Sequence, residues 1–157
     1  MGAILLMRHA EVVEETLVIR SSQRHLTMAG REHATAVGHR LRELGVELGC
    51  VVSSPLMRAA QTAELVAAAL GFAGVVEVLP ALAPEGDAHA AERELGHRPG
   101  WTLAVGHEPG LSAVGALLCR TSAFPPLHMT QVDLIEDGRL VWSLHPGDAA
   151  PVPAPPR

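Results

Sequence analysis

Two arginines and two histidines lie at positions in this sequence from which their side chains could act together on a phosphate group. Arg8 and His9 are adjacent and directly follow an apolar run. His107 follows a second apolar run, and Arg58 falls in the first turn of a predicted helix. A neutral imidazole can attack phosphorus, and guanidinium groups neutralise the phosphoryl oxygens through forked hydrogen bonds. The four residues together indicate phosphoryl transfer through a histidine, whereas the Arg-His pair alone would be typical of a solvated strand end.

These residues can meet only if the strands that precede them share one sheet. Short apolar runs predict buried strands, and apolar residues at helical spacing predict the helices between them. The predicted strands are 4–7, 50–53, 75–79 and 101–105, and the predicted helices are 28–44, 55–70, one after the loop 83–87 that ends near 96, and one after 106–109 that ends near 119. Thr27 is the expected cap of the first helix, and Ser54 is the expected cap of the second, with Pro55 at its first position.

The alternation of strands and helices predicts the α/β class, as a three-layer α/β/α sandwich with a mostly parallel central sheet. In such sheets ligands bind beyond the carboxyl ends of the strands. The candidate residues are therefore expected at one edge of the sheet. From residue 131 onwards the apolar residues alternate around Asp137 and Gly138, which predicts a C-terminal β-hairpin.

The last twelve residues contain five prolines and no apolar period. Such a segment is expected to be extended or disordered. We therefore predict one domain over residues 1–145, followed by a proline-rich tail over residues 146–157. No second change in composition marks a further domain.

Composition excludes several classes of function. The formal net charge is −5 at pH 7, which does not suit binding to nucleic acid. All 12 basic residues are arginine, so the chain has no lysine for a P-loop or for Schiff-base chemistry. The nine histidines lack the paired spacing of a zinc site. We therefore predict no metal and no cofactor.

The cysteines and the first residues indicate the compartment. Cys50 and Cys119 lie in apolar segments without metal-like spacing, and we predict that both are buried thiols in a reducing compartment. The first residues lack the basic region of a secretion signal, and the first apolar run is too short to span a membrane. We expect a cytoplasmic protein with no membrane partner.

Three motifs and one further segment resemble those of a known family. Residues 7–10 resemble the Arg-His-Gly signature of the histidine phosphatase superfamily, with Ala10 in place of the usual glycine. Residues 53–63 resemble its second motif almost letter for letter, residues 105–109 resemble its third, and residues 26–30 match the segment that opens its first helix. The resemblance extends over nearly all of the chain up to the hairpin. This short form, without inserted segments, is most similar to the SixA-type phosphohistidine phosphatases.

The resemblance implies a role for each matching residue. His9 would be the nucleophile that becomes phosphorylated. Arg8, Arg58 and His107 would hold the phosphoryl oxygens, and Arg24 would be an added phosphate ligand. The family's chemistry implies neither a metal nor a cofactor.

The proton donor is left open between two acids of the loop 83–87. Many relatives use a glutamate from this region, so the resemblance implies Glu85 first and Asp87 second. Asp87 is equally well explained as the cap of the following helix. Taken without the resemblance, Arg20 and Arg24 are typical of solvated loop charges.

These observations predict a phosphatase that acts through a phosphohistidine intermediate and removes phosphate from phosphohistidine on proteins. The alternatives are a small-molecule phosphomonoesterase and a phosphoglycerate-mutase-like enzyme, for which the chain is short of segments that exclude water. An alternative of another class is a non-catalytic module that binds a phosphorylated ligand. The expected partner is a phosphorylated protein or a small phosphate ester.

Overall fold

The computed structural model describes residues 2–156, which form seven strands and four α-helices. The strands are β1 (Ile4–Arg8), β2 (Cys50–Ser53), β3 (Glu77–Val78), β4 (Thr102–Gly106), β5 (Val132–Glu136), β6 (Arg139–Leu144) and β7 (Val152–Pro153). The helices are α1 (Met28–Glu43), α2 (Met57–Leu70), α3 (Ala88–Gly96) and α4 (Gly110–Cys119).

Helices cover both faces of the sheet, which confirms the predicted three-layer α/β/α arrangement. Successive side chains of a strand point to opposite faces, and β1 divides accordingly between two core clusters. Leu5 and Met7 pack with residues of α1 and α2. Ile4 and Leu6 pack with residues of α3 and α4. Burial on both faces explains why the first strand is an unbroken apolar run.

The strands form one sheet in the order β3-β2-β4-β1-β5-β6-β7. The first four strands in this order are parallel neighbours, whereas β5, β6 and β7 are each added antiparallel. The prediction of a mostly parallel sheet is therefore imprecise, because half of the pairings are antiparallel. No helix lies between β5, β6 and β7, so β6 and β7 each run back along the strand before them. β5 follows α4 and joins the sheet antiparallel to β1.

The predicted hairpin is present as β5 and β6. Asp137 and Gly138 have φ angles of 50° and 69°, and a two-residue hairpin turn of type I′ requires positive φ at both positions. In the proline-rich segment, Val152 and Pro153 pair with β6 and extend the sheet by one short strand. Proline is tolerated there because an edge strand has one side that donates no hydrogen bond to the sheet.

Local signals place the start of α1 correctly and the start of α2 too early. Thr27 caps α1, and its hydroxyl oxygen accepts a hydrogen bond from the Gly30 amide at 3.0 Å. α2 begins two residues later than predicted, because Leu56 keeps an extended backbone (φ −72°, ψ 141°) and is itself the N-cap. The Ser54 hydroxyl still accepts from the Leu56 amide, at 3.2 Å, but outside the helix.

The two cysteines differ in burial, which corrects one expectation. Cys119 is buried, whereas Cys50 is only partly buried, because β2 begins at the surface near Glu77 and Arg98. The Cys50 thiol donates a hydrogen bond to the Glu77 carboxylate at 3.1 Å. Burial and this hydrogen bond raise the pKa of the Cys50 thiol. No disulfide bond joins the two cysteines.

Candidate active site

Three parallel strands deliver candidate residues to one edge of the sheet. β4 lies between β1 and β2; β1 and β4 end in register, and β2 ends one residue earlier. The residues that follow these ends are His9, His107 and Ser54, so they emerge side by side. The ring centroids of His9 and His107 are 5.3 Å apart.

The ring of His9 is held with one nitrogen available for reaction. Its Nδ1 lies 2.8 Å from the carbonyl oxygen of Ala10. A carbonyl oxygen can only accept, so the neutral ring carries its proton on Nδ1. Nε2 is then unprotonated and has no hydrogen-bond partner among the described residues, and its lone pair can attack phosphorus.

The surroundings of His9 keep it neutral. The residue is only 7% exposed, and its pKa is lowered from 6.5 to about 4, chiefly by burial. The hydrogen bond to Ala10 opposes this lowering of the pKa, whereas the positive charges of Arg58, Arg8 and Arg24 contribute to it. At pH 7 His9 therefore has the uncharged form that a nucleophile requires.

His107 is also buried and neutral. Burial lowers its pKa to about 3, and the nearby His9, Arg58 and Arg8 contribute in the same direction. Its Nε2 lies 2.7 Å from the Ser54 hydroxyl oxygen. Its Nδ1 is buried and has no hydrogen-bond partner within residues 2–156.

Arg58 and Arg24 bring positive charge from two different segments. Arg58, in the first turn of α2, is 8% exposed, and its guanidinium donates to the Ser21 carbonyl oxygen at 3.0 Å. Arg24 donates from Nε to the Val13 carbonyl oxygen at 2.8 Å. Burial lowers the pKa of Arg58, and the charge of Arg24 adds to this effect. The structure therefore places Arg24 close enough to the other groups to act on both Arg58 and His9.

Arg8 is anchored through the segment that precedes β5. Its guanidinium donates to the Leu127 carbonyl oxygen at 3.1 Å, while the Leu127 amide donates to the Glu108 carboxylate at 2.8 Å. Glu108 directly follows His107, so a single residue, Leu127, links the third motif to Arg8. The Nε of Arg8 is buried without a partner in the described chain. A guanidinium has five N–H donors, so Arg8 retains donors for an oxyanion.

Two residues of α2 position the site, and the sequence interpretation gave neither of them a role. The Thr62 hydroxyl accepts from the Ala10 amide at 3.0 Å and donates to the Arg58 carbonyl oxygen at 2.8 Å. Gln61 accepts from the Leu26 amide at 2.9 Å. Both residues lie inside the motif 53–63, so membership of that motif is the sequence signal that could have identified them. They tie α2 to the chain on both sides of the loop 11–25.

The two candidate acids are not among the groups that the structure brings together. Glu85 is exposed and makes no hydrogen bond or ion pair with any described residue. The Asp87 carboxylate accepts from the His89 amide at 2.9 Å and caps α3. The charges that shift the pKa values of His9 and His107 come from arginines and, for His107, from His9. The assignment of Glu85 as proton donor stays a prediction.

Ala10 fits the position where the resembling family usually has glycine. The residue is fully buried in the core between the sheet, α1 and α2. Its φ is not positive. An L-residue therefore occupies this position without backbone strain, and its methyl group adds to the core.

The site consists of cationic and neutral nitrogen groups. Within residues 2–156, no group of three or more His, Cys, Asp or Glu side chains could hold a metal ion. Three arginines near two neutral histidines suit an anion with several oxygens, because each guanidinium donates to two oxygens at once. A phosphoryl group is such an anion.

We expect the free energy of unfolding to fall as the pH is lowered from about 6.5 to about 4. The unfolded chain takes up protons on these histidines near pH 6.5, whereas folded His9 resists protonation until pH about 4. The unfolded state therefore binds more protons across this range, and stability rises with pH. For His9 alone the slope approaches about 1.4 kcal/mol per pH unit.

Urea unfolding at pH 7, 6 and 5 measures this slope. A His9→Asn variant has no titratable group at this position and should show a shallower slope than the wild type. The difference between the free energies of unfolding of the two proteins at pH 7 gives the effect of the substitution that does not depend on protonation of His9. Equal slopes for the two proteins between pH 6 and 5 would contradict the lowered pKa of His9.

The match to a known protein family covers the residues of this site. The chain matches the profile of the histidine phosphatase superfamily (branch 1) over residues 4–126. This span includes every candidate residue described above and ends before β5. The three antiparallel strands at the end of the sheet lie outside it.

The chain is similar over most of its length to phosphohistidine phosphatase SixA of Escherichia coli (strain K12), with 28% identity over 153 residues, 91% of this chain and 93% of that protein. An uncharacterized protein of Picosynechococcus sp. shares 33% identity over 108 residues, 66% of this chain and 65% of that protein. A structure of the protein histidine phosphatase SixA complexed with tungstate superimposes with a TM-score of 0.83 and 26% identity, covering 92% of this chain and 97% of that one.

Proposed function

This chain belongs to the histidine phosphatase superfamily, and from this premise we propose that it is a phosphatase that removes phosphate from phosphohistidine on proteins. The reaction runs through a covalent intermediate on His9. Arg8, Arg58 and His107 hold the phosphoryl oxygens, and Arg24 adds positive charge. The similarity to phosphohistidine phosphatase SixA supports this choice of substrate.

The proposed reaction has two displacements at phosphorus. In the first, the Nε2 lone pair of His9 forms a bond to phosphorus, and the bond from phosphorus to the substrate imidazole breaks. The substrate ring carries a proton on its other nitrogen, so the departing imidazole keeps the electron pair of the broken bond and leaves as neutral histidine. In the second, water attacks the phosphorus of phosphorylated His9, and inorganic phosphate leaves as Nε2 recovers its lone pair.

The observation that carries this proposal is that, among the described residues, the charges that act on His9 and His107 belong to arginine and histidine and to no carboxylate. An alkyl ester must expel an alkoxide, which needs a proton from a well-placed acid. Phosphohistidine expels an imidazole, whose conjugate acid has a pKa of ~6.5, so it leaves readily. A site rich in cations and poor in acids therefore favours phosphohistidine.

Free phosphohistidine and O-phosphoserine make a matched pair of substrates, because they share the amino acid backbone and differ in the leaving group. We expect kcat/KM for phosphohistidine to exceed that for phosphoserine by about 10²-fold or more, the range of general acid catalysis. A histidine-phosphorylated protein, prepared with phosphoramidate, extends the comparison to protein substrates.

Each alternative function has its own outcome in this comparison. Faster turnover of phosphoserine would favour the small-molecule phosphomonoesterase. Transfer of phosphate to an added alcohol in preference to water would favour the phosphoglycerate-mutase-like enzyme. Binding of phosphate compounds without turnover would favour the non-catalytic module.

Glu85→Gln tests the candidate proton donor. The slow hydrolysis of alkyl phosphate esters that this acid-poor site retains is expected to depend on Glu85. The substitution should therefore slow it by a further factor of about 10², because a glutamine cannot supply a proton to an alkoxide. Phosphohistidine hydrolysis should be reduced far less. Steady-state kinetics on both substrates measures the difference, and equal losses on the two would refute the leaving-group argument.

Asp87→Asn is the matched control for Glu85→Gln. Asparagine keeps an oxygen that can cap α3 but removes the acid. If Asp87 acts only as the helix cap, hydrolysis of both substrates stays at the wild-type rate. A selective loss of ester hydrolysis in this variant would show that Asp87, and not Glu85, is the proton donor.

The expected partners follow from the same site. The proposed substrate is a phosphorylated protein or, in the alternative, a small phosphate ester, and neither metal nor cofactor takes part in the proposed steps. In the described part of the chain, no helix combines the length and the apolar character needed to cross a membrane. The cytoplasmic setting stays a prediction from the sequence.

A further inference from the structure

Ser54 is a fully buried residue whose hydroxyl lies against His107. Its oxygen is 2.7 Å from Nε2 of that ring. The backbone of Ser54 is fixed, because its amide donates to the Val105 carbonyl oxygen at 2.9 Å and its carbonyl oxygen accepts from the Ser53 hydroxyl at 2.8 Å. The serine hydroxyl is therefore held in place beside the ring.

The hydrogen-bond partners of this hydroxyl determine where the proton of His107 lies. Among the described residues, the Ser54 hydroxyl has two polar neighbours, the Leu56 amide at 3.2 Å and the His107 Nε2. The amide can only donate, so Nε2 is the one group that can accept the hydroxyl proton. Buried hydroxyl groups are rarely left without an acceptor. Nε2 is therefore unprotonated, and the neutral ring carries its single proton on Nδ1.

We propose that Ser54 is a positioning residue that holds His107 as the Nδ1–H tautomer, so that Nδ1 is the ring nitrogen that donates to the phosphoryl group. This inference rests on the proposed function of the site. Nδ1 of His107 is buried without a partner among the described residues, so a phosphoryl oxygen satisfies a donor that the protein leaves unpaired.

Both histidines are Nδ1–H tautomers, but the protein forms its hydrogen bond with Nδ1 in His9 and with Nε2 in His107. In His9 the Nδ1–H is bonded to the Ala10 carbonyl oxygen, and Nε2 remains for attack on phosphorus. In His107 the Ser54 hydroxyl occupies Nε2, and the Nδ1–H remains as a donor. One ring is thereby prepared as nucleophile, and the other as hydrogen-bond donor.

Nitrogen-15 NMR of the wild-type protein labelled at histidine tests the tautomer directly. We expect His107 to show a protonated Nδ1 and an unprotonated Nε2 at pH 7. Addition of inorganic phosphate should shift the Nδ1–H resonance of His107. A protonated Nε2 in the wild type would overturn the proposal, as would a phosphate-saturated protein in which Nδ1–H is unchanged.

Ser54→Ala removes the hydroxyl that holds Nε2. We expect His107 to become a mixture of tautomers and kcat/KM to fall roughly 10-fold, the value of one hydrogen bond. The pKa of His107 should rise, because the lost hydroxyl favoured the neutral ring. The charges of Arg8 and Arg58 and the ring of His9, which also act on His107, stay in place. An unchanged tautomer and an unchanged rate in Ser54→Ala would refute the proposal.

Ser53→Ala is the matched control, because Ser53 is equally buried but donates to the Ser54 carbonyl oxygen. It should leave the tautomer of His107 unchanged. Ser54→Thr restores a hydroxyl and should recover the tautomer and most of the rate. If its added methyl group prevents folding, Ser54→Cys supplies a weaker donor, and its rate should lie between those of Ser54→Ala and the wild type. An Nδ1–H tautomer in a protein that hydrolyses no phosphate compound would refute the proposed function and leave the tautomer established.

Discussion

His9→Ala is expected to lower kcat/KM by roughly 10⁴-fold or more on every phosphate substrate. The substitution removes the nitrogen that bonds to phosphorus, and loss of a covalent nucleophile has effects of this size in enzymes whose catalytic residues act as a unit. The buried, neutral ring with its free Nε2 is the only group at this edge of the sheet to which we assign that role. Steady-state kinetics with free phosphohistidine and para-nitrophenyl phosphate measures the loss.

His33→Ala is the control for this variant. His33 is an exposed residue of α1, so its replacement makes the same chemical change without touching the site. Its activity should stay within about twofold of the wild type, as expected for a surface substitution. Near wild-type turnover in a correctly folded His9→Ala protein would rule out the covalent mechanism.

Arg58→Ala should lower kcat/KM by roughly 10³-fold, the lower range for an arginine that stabilises a phosphoryl transition state. Arg58 is buried beside His9 and retains donors beyond the one bonded to the Ser21 carbonyl oxygen. Its charge is therefore largely unscreened by water at the place where the phosphoryl oxygens gather. Kinetics on both test substrates gives the change, and thermal unfolding checks that the variant is folded.

Arg58→Lys separates charge from geometry. Lysine keeps the positive charge but lacks the planar fork that holds two oxygens, so it should recover only part of the lost rate. Arg42→Lys makes the same change on the exposed last turn of α1 and should have no effect on the rate. Full activity in Arg58→Lys would show that the fork of Arg58 is not used.

The central strands β1, β2 and β4 could be predicted because burial on both faces requires an unbroken run of apolar residues. The predicted strand 75–79 is shorter in the structure, where only Glu77 and Val78 pair and both are exposed. Residues 4–7 are apolar without interruption, since β1 lies inside the sheet with helices on both sides. Parallel strands place their carboxyl ends together, so the adjacency of His9 and His107 follows from two apolar runs and one rule of topology. The position of Arg58 at the same edge follows from β2, because α2 begins shortly after that strand ends.

The direction of β5, β6 and β7 was less predictable. Alternation of apolar and polar residues predicts a strand but not the strand with which it pairs. The turn at Asp137 and Gly138 predicts an antiparallel pair but gives no information on where that pair joins the sheet. The short strand β7 depends on pairing with β6 rather than on an apolar pattern of its own. Proline content alone therefore could not predict it.

The partners of the site residues could not be predicted, because they are set by contacts between distant segments. Ser54 has the spacing of a helix cap, yet its hydroxyl meets a ring 53 residues further along the chain. Thr62 looks like one more residue of a helix, yet it holds the Ala10 amide next to the nucleophile. Glu85 follows a strand as a catalytic acid would, yet its side chain is exposed and bonded to nothing in the described chain.

Trapping of the phosphorylated protein tests the central claim most directly. The wild-type protein is mixed with phosphohistidine or para-nitrophenyl phosphate, quenched in alkali within the first turnover, digested and mapped by mass spectrometry. The mechanism predicts one phosphate on the peptide that contains His9, lost on treatment with acid and absent from the His9→Ala protein. Phosphate on any other residue, or a label that survives acid, would contradict it.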